Sequence, residues 1–264
     1  MDLSLKGKTA FISGSTSGIG FAIAKSLVEE GVQVILNGRS QVNLKLAIAS
    51  LKESYPNASI EGLASDFSRE EEVEELLQKL PAVDILVNNV GVYASESFYA
   101  TSDAEWFRQF EVNVMSGVRL SRQVLPMMLS QDWGRILFIS SECAAIVPAD
   151  LIAYSTTKAA ILAVSRGLAQ LAKGSGVTVN TIIPGSTLSE GAERFLEEVA
   201  RKEEKTPQEV EGDFFKKVRT SSLLQRFASV EEVAKTVTYF ASPLAAATNG
   251  AAIKVDGGSM GGIL

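Results

Sequence analysis

Short apolar runs rich in β-branched residues alternate along this chain with longer segments of helical period, and few architectures accommodate that alternation. The runs are TAFIS at 9–13, VQVILN at 32–37, ASIEGLA at 58–64, VDILVNN at 83–89, RILFIS at 135–140, VTVNTII at 177–183 and AAIKVD at 251–256. Each has the length and composition of a strand. The intervening segments carry amphipathic patterns, and several open on a Ser-x-x-Glu capping box: Ser68 with Glu71, Ser102 with Glu105, Ser229 with Glu232. Strand followed by helix throughout demands right-handed crossovers. The order therefore predicts an α/β fold, a doubly wound seven-stranded parallel sheet with helices on both faces in three layers. Ligands of such a sheet bind at the carboxyl ends of its strands.

A chain of 264 residues in this pattern is expected to enclose one core, a single domain over 1–264. The net charge of −6 offers no general attraction for nucleic acid or an anionic membrane. Histidine is absent, which removes Ser-His-Asp and Cys-His catalysis and His-ligated metals at once. A single cysteine, Cys143, excludes an intrachain disulfide and any Cys cluster, so no metal site is expected. Acid–base chemistry must then use Tyr, Lys, Asp, Glu or Cys. The opening MDLSLKGKTAFIS has no leader pattern, and nowhere do the roughly 18 apolar residues of a membrane span run together. A cytoplasmic protein is expected.

Between Pro184 and the helix near Ser229 the pattern contains no strand, only a charge-dense stretch read as two short helices, with Thr206 and Pro207 as N-cap and first helical residue. The segment at about 186–228 is expected to be a helical substrate lid. Phe195, Leu196, Val199, Val210, Phe214 and Phe215 either close over a ligand or dock the insertion onto the body.

The first strand runs into Ser13-Gly14-Ser15-Thr16-Ser17-Gly18-Ile19-Gly20, and a helix follows from Phe21. Glycines there permit a tight turn and close approach of a pyrophosphate to unpaired N–H groups at the positive helix end. After the second strand, where an acidic side chain would bind the ribose of NAD, the sequence reads Asn37-Gly38-Arg39-Ser40. Arg39 offers a cationic fork for a 2′-phosphate, with the hydroxyls of Ser15 and Thr16 in support, and predicts NADP(H) in preference to NAD(H). Asp66, beside Phe67 after the third strand, reads as an adenine contact or as the start of a turn toward Ser68.

Tyr154 and Lys158 stand one helical turn apart, on one face. A nearby ammonium stabilises a phenolate, which predicts a tyrosine pKa lowered toward neutrality. Ser141, after the fifth strand, offers a hydroxyl to a substrate oxygen beside that phenol. With Gly14, Gly18 and Gly20, Asn88-Asn89-Val90-Gly91, Asn113, Pro184-Gly185 and Val255-Asp256-Gly257-Gly258 in this order, the chain resembles the short-chain dehydrogenase/reductase family over essentially its whole length. The resemblance implies a Rossmann-type fold with Tyr154 as general acid or base and Lys158 binding the nicotinamide ribose. It further implies Ser141 orienting the carbonyl and Asn113 anchoring a relay water. By the same resemblance Asn89 and Gly91 support the adenosine side, Pro184 and Gly185 pass beside the nicotinamide, and Thr187 or Ser189 meets its carboxamide. Val90 departs from the family's usual alanine.

These residues together predict an NADP-dependent oxidoreductase acting on a small carbonyl compound or secondary alcohol. Reduction of a 3-oxoacyl group on carrier protein or coenzyme A is the alternative within that class, for which Lys202, Lys205, Lys216, Lys217 and Arg219 could supply a local basic patch. A catalytically silent dinucleotide sensor or scaffold, or an epimerase or dehydratase of nucleotide sugars, would keep the fold without this reaction. Val92, Tyr93, Ile146 and Val147 suggest an apolar or aromatic substrate. Glu142 reads as a polar loop residue or a substrate contact, and Cys143 as a small buried side chain. The resemblance implies a homo-oligomer, tetramer or dimer, with 257–264 available to an interface.

Overall fold

Burial of the seven apolar runs in one sheet organises the molecule, whose computed structural model describes residues 1–262. The core strands are β1 (Thr9–Ile12), β2 (Gln33–Gly38), β3 (Ile60–Ala64), β4 (Ile85–Asn88), β5 (Gly134–Ile139), β6 (Val177–Pro184) and, last in the chain, β9 (Ala252–Val255). All pair in parallel, in the order β3-β2-β1-β4-β5-β6-β9. The order reverses between β1 and β4, and the crevice outside the carboxyl ends at that reversal is where such sheets hold ligands.

Helices α1 (Gly18–Glu29), α2 (Gln41–Ser54), α3 (Glu70–Lys79), α4 (Asp103–Phe110), α5 (Ser116–Ser130), α6 (Cys143–Ile146) and α7 (Ile152–Leu171) occupy the connections. The sheet buries two apolar layers. Ile12, Leu36, Val87 and Leu137 face the side covered by α1 and α2. Phe11, Ile35, Leu86 and Phe138 face the side covered by α5 and α7. This alternation along fully buried parallel strands is the period of two imposed by the pleat.

The 186–228 segment differs from expectation in one feature. It contains strands: β7 (Thr187–Leu188) pairs in parallel with β8 (Ala228–Ser229), so the insertion leaves and rejoins the body through a common neck. Between them lie α8 (Glu190–Glu203) and α9 (Pro207–Lys217), and α10 (Val230–Ala241) follows. Leu196, Ala200 and Val210 form a small core of their own, Phe215 is fully buried, and Phe214 stacks on Phe227 at 5.2 Å. Most of the insertion's apolar side chains therefore dock it onto itself and the body, while Phe195 stays exposed.

Caps follow the sequence unevenly. Ser229 with Glu232 and Thr206 with Glu209 form complete capping boxes. Ser102 caps α4, but Glu105 spends its carboxylate on Arg108 and Gln109 and leaves the box half made. Ser68 caps nothing, because its hydroxyl donates to Asp66 at 2.7 Å and α3 begins after Arg69. The helix after β1 starts at Gly18 rather than Phe21. No helix among the described residues is long and apolar enough to cross a membrane. Ile263 and Leu264, the end of the stretch assigned to an interface, lie outside the described residues.

Candidate active site

The turn after β1 is a cradle that side chains would fill. Gly14 and Gly18 adopt φ of +61° and +58°, conformations L-residues rarely take. A Cβ on Gly20 would stand 2.4 Å from the Gly14 carbonyl oxygen and 2.5 Å from Asn89 Nδ2. Asn89 Nδ2 donates to the carbonyls of Ser13 (3.0 Å) and Gly14 (2.8 Å), tying the end of β4 to the turn. Val90 packs directly on Gly14, so the larger side chain is accommodated against the turn.

Two organising residues escaped sequence reasoning. Ser13 Oγ accepts from the N–H groups of Asn89 (2.9 Å) and Val90 (3.1 Å). Asn37 accepts from Gly14 N at 3.1 Å and donates to Leu63 O at 2.9 Å, bridging three strand ends. Their contacts join β1 to β4 and β2 to β3, and no local spacing announces such pairings.

Beyond the turn lies a cleft of about 290 Å³, bounded by Thr16, Ser17, Arg39, Asp66 to Ser68 and Asn89 to Val92. Arg39 is exposed at its rim. Thr16 packs so closely on residue 38 that a Cβ there would lie 2.5 Å from Thr16 Cγ2, which explains Gly38. The Ser15 hydroxyl is not available to a ligand: the residue is 0% exposed, and Oγ donates to Ile12 O at 2.7 Å. That corrects its expected role as a phosphate donor. Asp66 begins the turn to Ser68. Burial acts to raise its pKa, but hydrogen bonds from Ser68 and the charges of Arg39 and Arg69 outweigh burial and hold the carboxyl below its usual range. Phe67 reaches the cleft while its side chain belongs to the core. Arg108, not singled out from sequence, also lines the cleft, its guanidinium held by Glu105.

The candidate reacting residues converge at the carboxyl ends of β4, β5 and β6. Lys158 Nζ donates to Ile139 O at 3.0 Å, and Ser140 Oγ donates to Lys158 O at 2.8 Å, fixing α7 against β5. A Cβ on Gly91 would meet Lys158 Nζ at 3.3 Å and Asn113 Oδ1 at 3.5 Å, so these three residues adjoin. Asn113 sits in a π-helical turn, Glu111–Met115, between α4 and α5. Such turns concentrate at functional sites. Its side chain is fully engaged, accepting from Val92 N (2.7 Å) and donating to Val92 O and Thr157 Oγ1 (both 2.9 Å). Asn113 thus holds the end of the β4 loop against α7 beside Tyr154.

Burial, not the lysine, dominates the acidity of Tyr154. The phenol is pushed well above its ordinary value by desolvation, with Cys143 and Glu142 adding in the same direction and a hydrogen bond with Ser141 opposing them. The expected lowering toward neutrality is overturned: Lys158 Nζ lies 5.6 Å from the ring centroid and bonds a carbonyl instead. Burial pushes the Lys158 ammonium itself down to about 8. Cys143 is buried and its thiol pKa raised, chiefly by burial, which fits a packing role.

The remaining assignments divide. Pro184 O accepts from Glu142 N at 2.8 Å, and Gly185 abuts Asp256 so closely that a Cβ would lie 2.6 Å from its Cα. Thr187 Oγ1 donates to Gly185 O at 2.9 Å. Ser189 Oγ caps α8, accepting from Ala192 N at 3.4 Å. Ser189 and Glu190 stand over the phosphate turn, each 3.6 Å from where a Gly18 Cβ would be. Ile19 packs against the core below that turn.

A family model described as short chain dehydrogenase matches residues 8–200. The chain belongs to the short-chain dehydrogenase/reductase family. An uncharacterized oxidoreductase of Bacillus subtilis, YvaG, is 48% identical over 258 residues, covering 98% of each chain. The 3-oxoacyl-[acyl-carrier-protein] reductase FabG of Aquifex aeolicus is 32% identical, covering 98% of this chain and 99% of its own. Among solved structures, the L-sorbose reductase of Gluconobacter frateurii, complexed with NADPH and L-sorbose, superposes with a TM-score of 0.92 at 31% identity, over 100% of both chains. This short-chain dehydrogenase is accordingly an NAD(P)-dependent oxidoreductase with a Rossmann-type sheet.

Proposed function

We propose that the protein binds NADP(H) in preference to NAD(H) and interconverts a carbonyl compound and a secondary alcohol, with Tyr154 as general acid and base. The observation carrying this reading is the convergence of Ser141, Tyr154 and Lys158 near Gly91, beyond a glycine turn that borders a cleft of about 290 Å³. The cradle suits a pyrophosphate because its glycines expose backbone N–H groups at the start of α1. Arg39, with Thr16 beside it and no carboxylate at the end of β2, suits a 2′-phosphate. The bound nicotinamide supplies or accepts the hydride. Ser141 would orient the substrate oxygen and Tyr154 exchange the proton with it, while Lys158, anchored on Ile139, would hold the ribose. The NADPH-bound reductase from Gluconobacter supports the cofactor reading by similarity.

Parallel tryptophan-quenching titrations with NADPH and NADH test the cofactor. The wild type is expected to bind NADPH more tightly and Arg39→Asp to reverse the order. Binding of neither would favour a silent scaffold. The relatedness to FabG keeps 3-oxoacyl reduction in view, but Lys205 and Lys217 both bind Asp213, and Arg219 binds Glu142. Internal pairing of the basic cluster weighs against its docking an acidic carrier. We further propose a cytoplasmic homo-oligomer, for which exposed Phe107, Phe110 and Met127 on α4 and α5 supply an apolar face, and a single domain whose 186–228 segment covers the substrate. Sedimentation as a monomer at micromolar concentration would remove the oligomer.

A further inference from the structure

We propose that Glu142 and Arg219 form a polar wall of the substrate site, and that this site takes a neutral polyhydroxylated ketone or its alcohol. Glu142 stands between Ser141 and Cys143, is 3% exposed, and is pinned by its N–H to Pro184 O at 2.8 Å. Its Oε1 takes two donors, Arg219 Nε at 2.7 Å and Ser186 Oγ at 3.1 Å. Its Oε2 is buried with no partner. A buried ion pair serving only to latch the insertion to the body would engage both oxygens with the planar guanidinium fork. Here one carboxylate oxygen is doubly used and the other not at all, while Arg219 gives Nε to the pair and lays its guanidinium beside the Cys143 thiol and 5.7 Å from the Phe214 ring centroid. An unsatisfied buried acceptor is costly and rare, and calls for an explanation.

The pair lies at the reacting centre. Glu142 directly follows Ser141 in a turn closed by the Cys143 N–H donating to Ser141 Oγ at 3.2 Å, and the Arg219 guanidinium adjoins Cys143. Of the apolar side chains expected to shape the pocket, Tyr93 packs edge-on against the Tyr154 ring at 5.9 Å yet is 69% exposed, and Val147 is 47% exposed, so neither seals the site with an apolar wall. A hydroxyl donating to Glu142 Oε2 and a second oxygen accepting from Arg219 would complete both partners, which vicinal hydroxyls on one carbon skeleton provide. Opposite charges on the wall favour a neutral skeleton, since a carboxylate would meet Glu142 as well as Arg219. A site built to hydrogen-bond a substrate rejects an analogue lacking those groups, because its buried polar atoms are then left unpaired.

The proposal rests on the hydride-transfer reading above, and its test separates the two. NADPH oxidation is followed with erythrulose and fructose, with the chain-matched 2-butanone and 2-hexanone, and with acetoacetate; binding of the same ketones to the purified protein is followed by saturation-transfer NMR. The wild type is expected to prefer the hydroxylated ketones at least 100-fold in kcat/KM. Glu142→Gln, close to isosteric, and Arg219→Lys are each expected to cut that preference tenfold or more, mainly through KM. Preference for the apolar ketones, or variants that leave the ratio unmoved, overturns the polar wall while hydride transfer stands. Preference for acetoacetate overturns it in favour of a carboxylate anchor at Arg219. No turnover of any ketone, with erythrulose saturation transfer present in the wild type and lost in Glu142→Gln, sinks the hydride-transfer reading and keeps the subsite; no saturation transfer and no turnover overturns both.

Discussion

Desolvation holds the Tyr154 phenol above its ordinary value, and in the proposed role of general acid and base this sets the direction in which it would work best. A half-buried phenol raised above its ordinary value would act, in the proposed role, as a proton donor in the neutral range and as a base only at higher pH. Carbonyl reduction is therefore expected to be flat in its Tyr154 dependence near neutrality, and alcohol oxidation to rise steadily with pH. Initial rates in both directions against pH check this; an oxidation rate already saturated at pH 7 would contradict it. Tyr154→Phe removes the donor and is expected to cost both directions about 10²- to 10⁴-fold. At the cofactor turn, Gly20→Ala would drive a Cβ to 2.4 Å from the Gly14 oxygen, against backbone that cannot yield cheaply. NADPH titration should show at least tenfold weaker binding, and unchanged binding would mean the turn is not the cradle. Chemistry-bearing residues were legible because their types and spacings are distinctive: the glycines, Ser141, and Tyr154 one turn from Lys158. Ser13, Asn37 and Thr157 were not, since they act by hydrogen bonds across distant strands and helices. The acidity of Tyr154 departs from its spacing for a related reason: spacing reveals a neighbouring ammonium but not the desolvation that outweighs it.

Among the elements, the seven long strands follow from apolar runs, buried on both faces in the central strands and partly open at the edge strands β3 and β9, and each is observed within about two residues of its expected bounds. The two-residue β7 and β8 carry no period at all and exist because the chain ends of the insertion meet. Capping shows where local rules hold. Thr206 and Glu209 close a complete box on α9, with Pro207 in the first turn. Asp66, by contrast, takes the Ser68 hydroxyl before it can cap α3. Thr206→Ala is expected to destabilise the start of α9 by about 1 kcal/mol. Amide hydrogen exchange should record faster exchange confined to α9 and its neighbours; equal exchange across the sheet would mean that the insertion unfolds only with the whole molecule.

For the molecule as a whole, the buried Lys158 couples folding to pH. Its ammonium has an ordinary pKa of 10.5, and burial lowers this to about 8 in the folded protein. Between these values the unfolded chain binds the proton and the folded protein releases it, so this group makes stability rise with pH across that window. The contribution is fully present above the unfolded value and is lost as pH falls through about 8. The shift corresponds to roughly 3 kcal/mol at most. Lys158→Met keeps the apolar stem and deletes the titration. Urea unfolding at several pH values between 7 and 10 is therefore expected to give the wild type a steeper rise with pH than the variant, since the other groups titrating in this range are common to both. Parallel pH dependences would place the Lys158 proton equilibrium where it lies in the unfolded chain, and would mean that the ammonium is solvated within the fold. The same lysine also ties this stability to catalysis. Above about pH 8 the charge facing the proposed ribose site disappears, so NADPH affinity is expected to fall in the window where the fold gains stability.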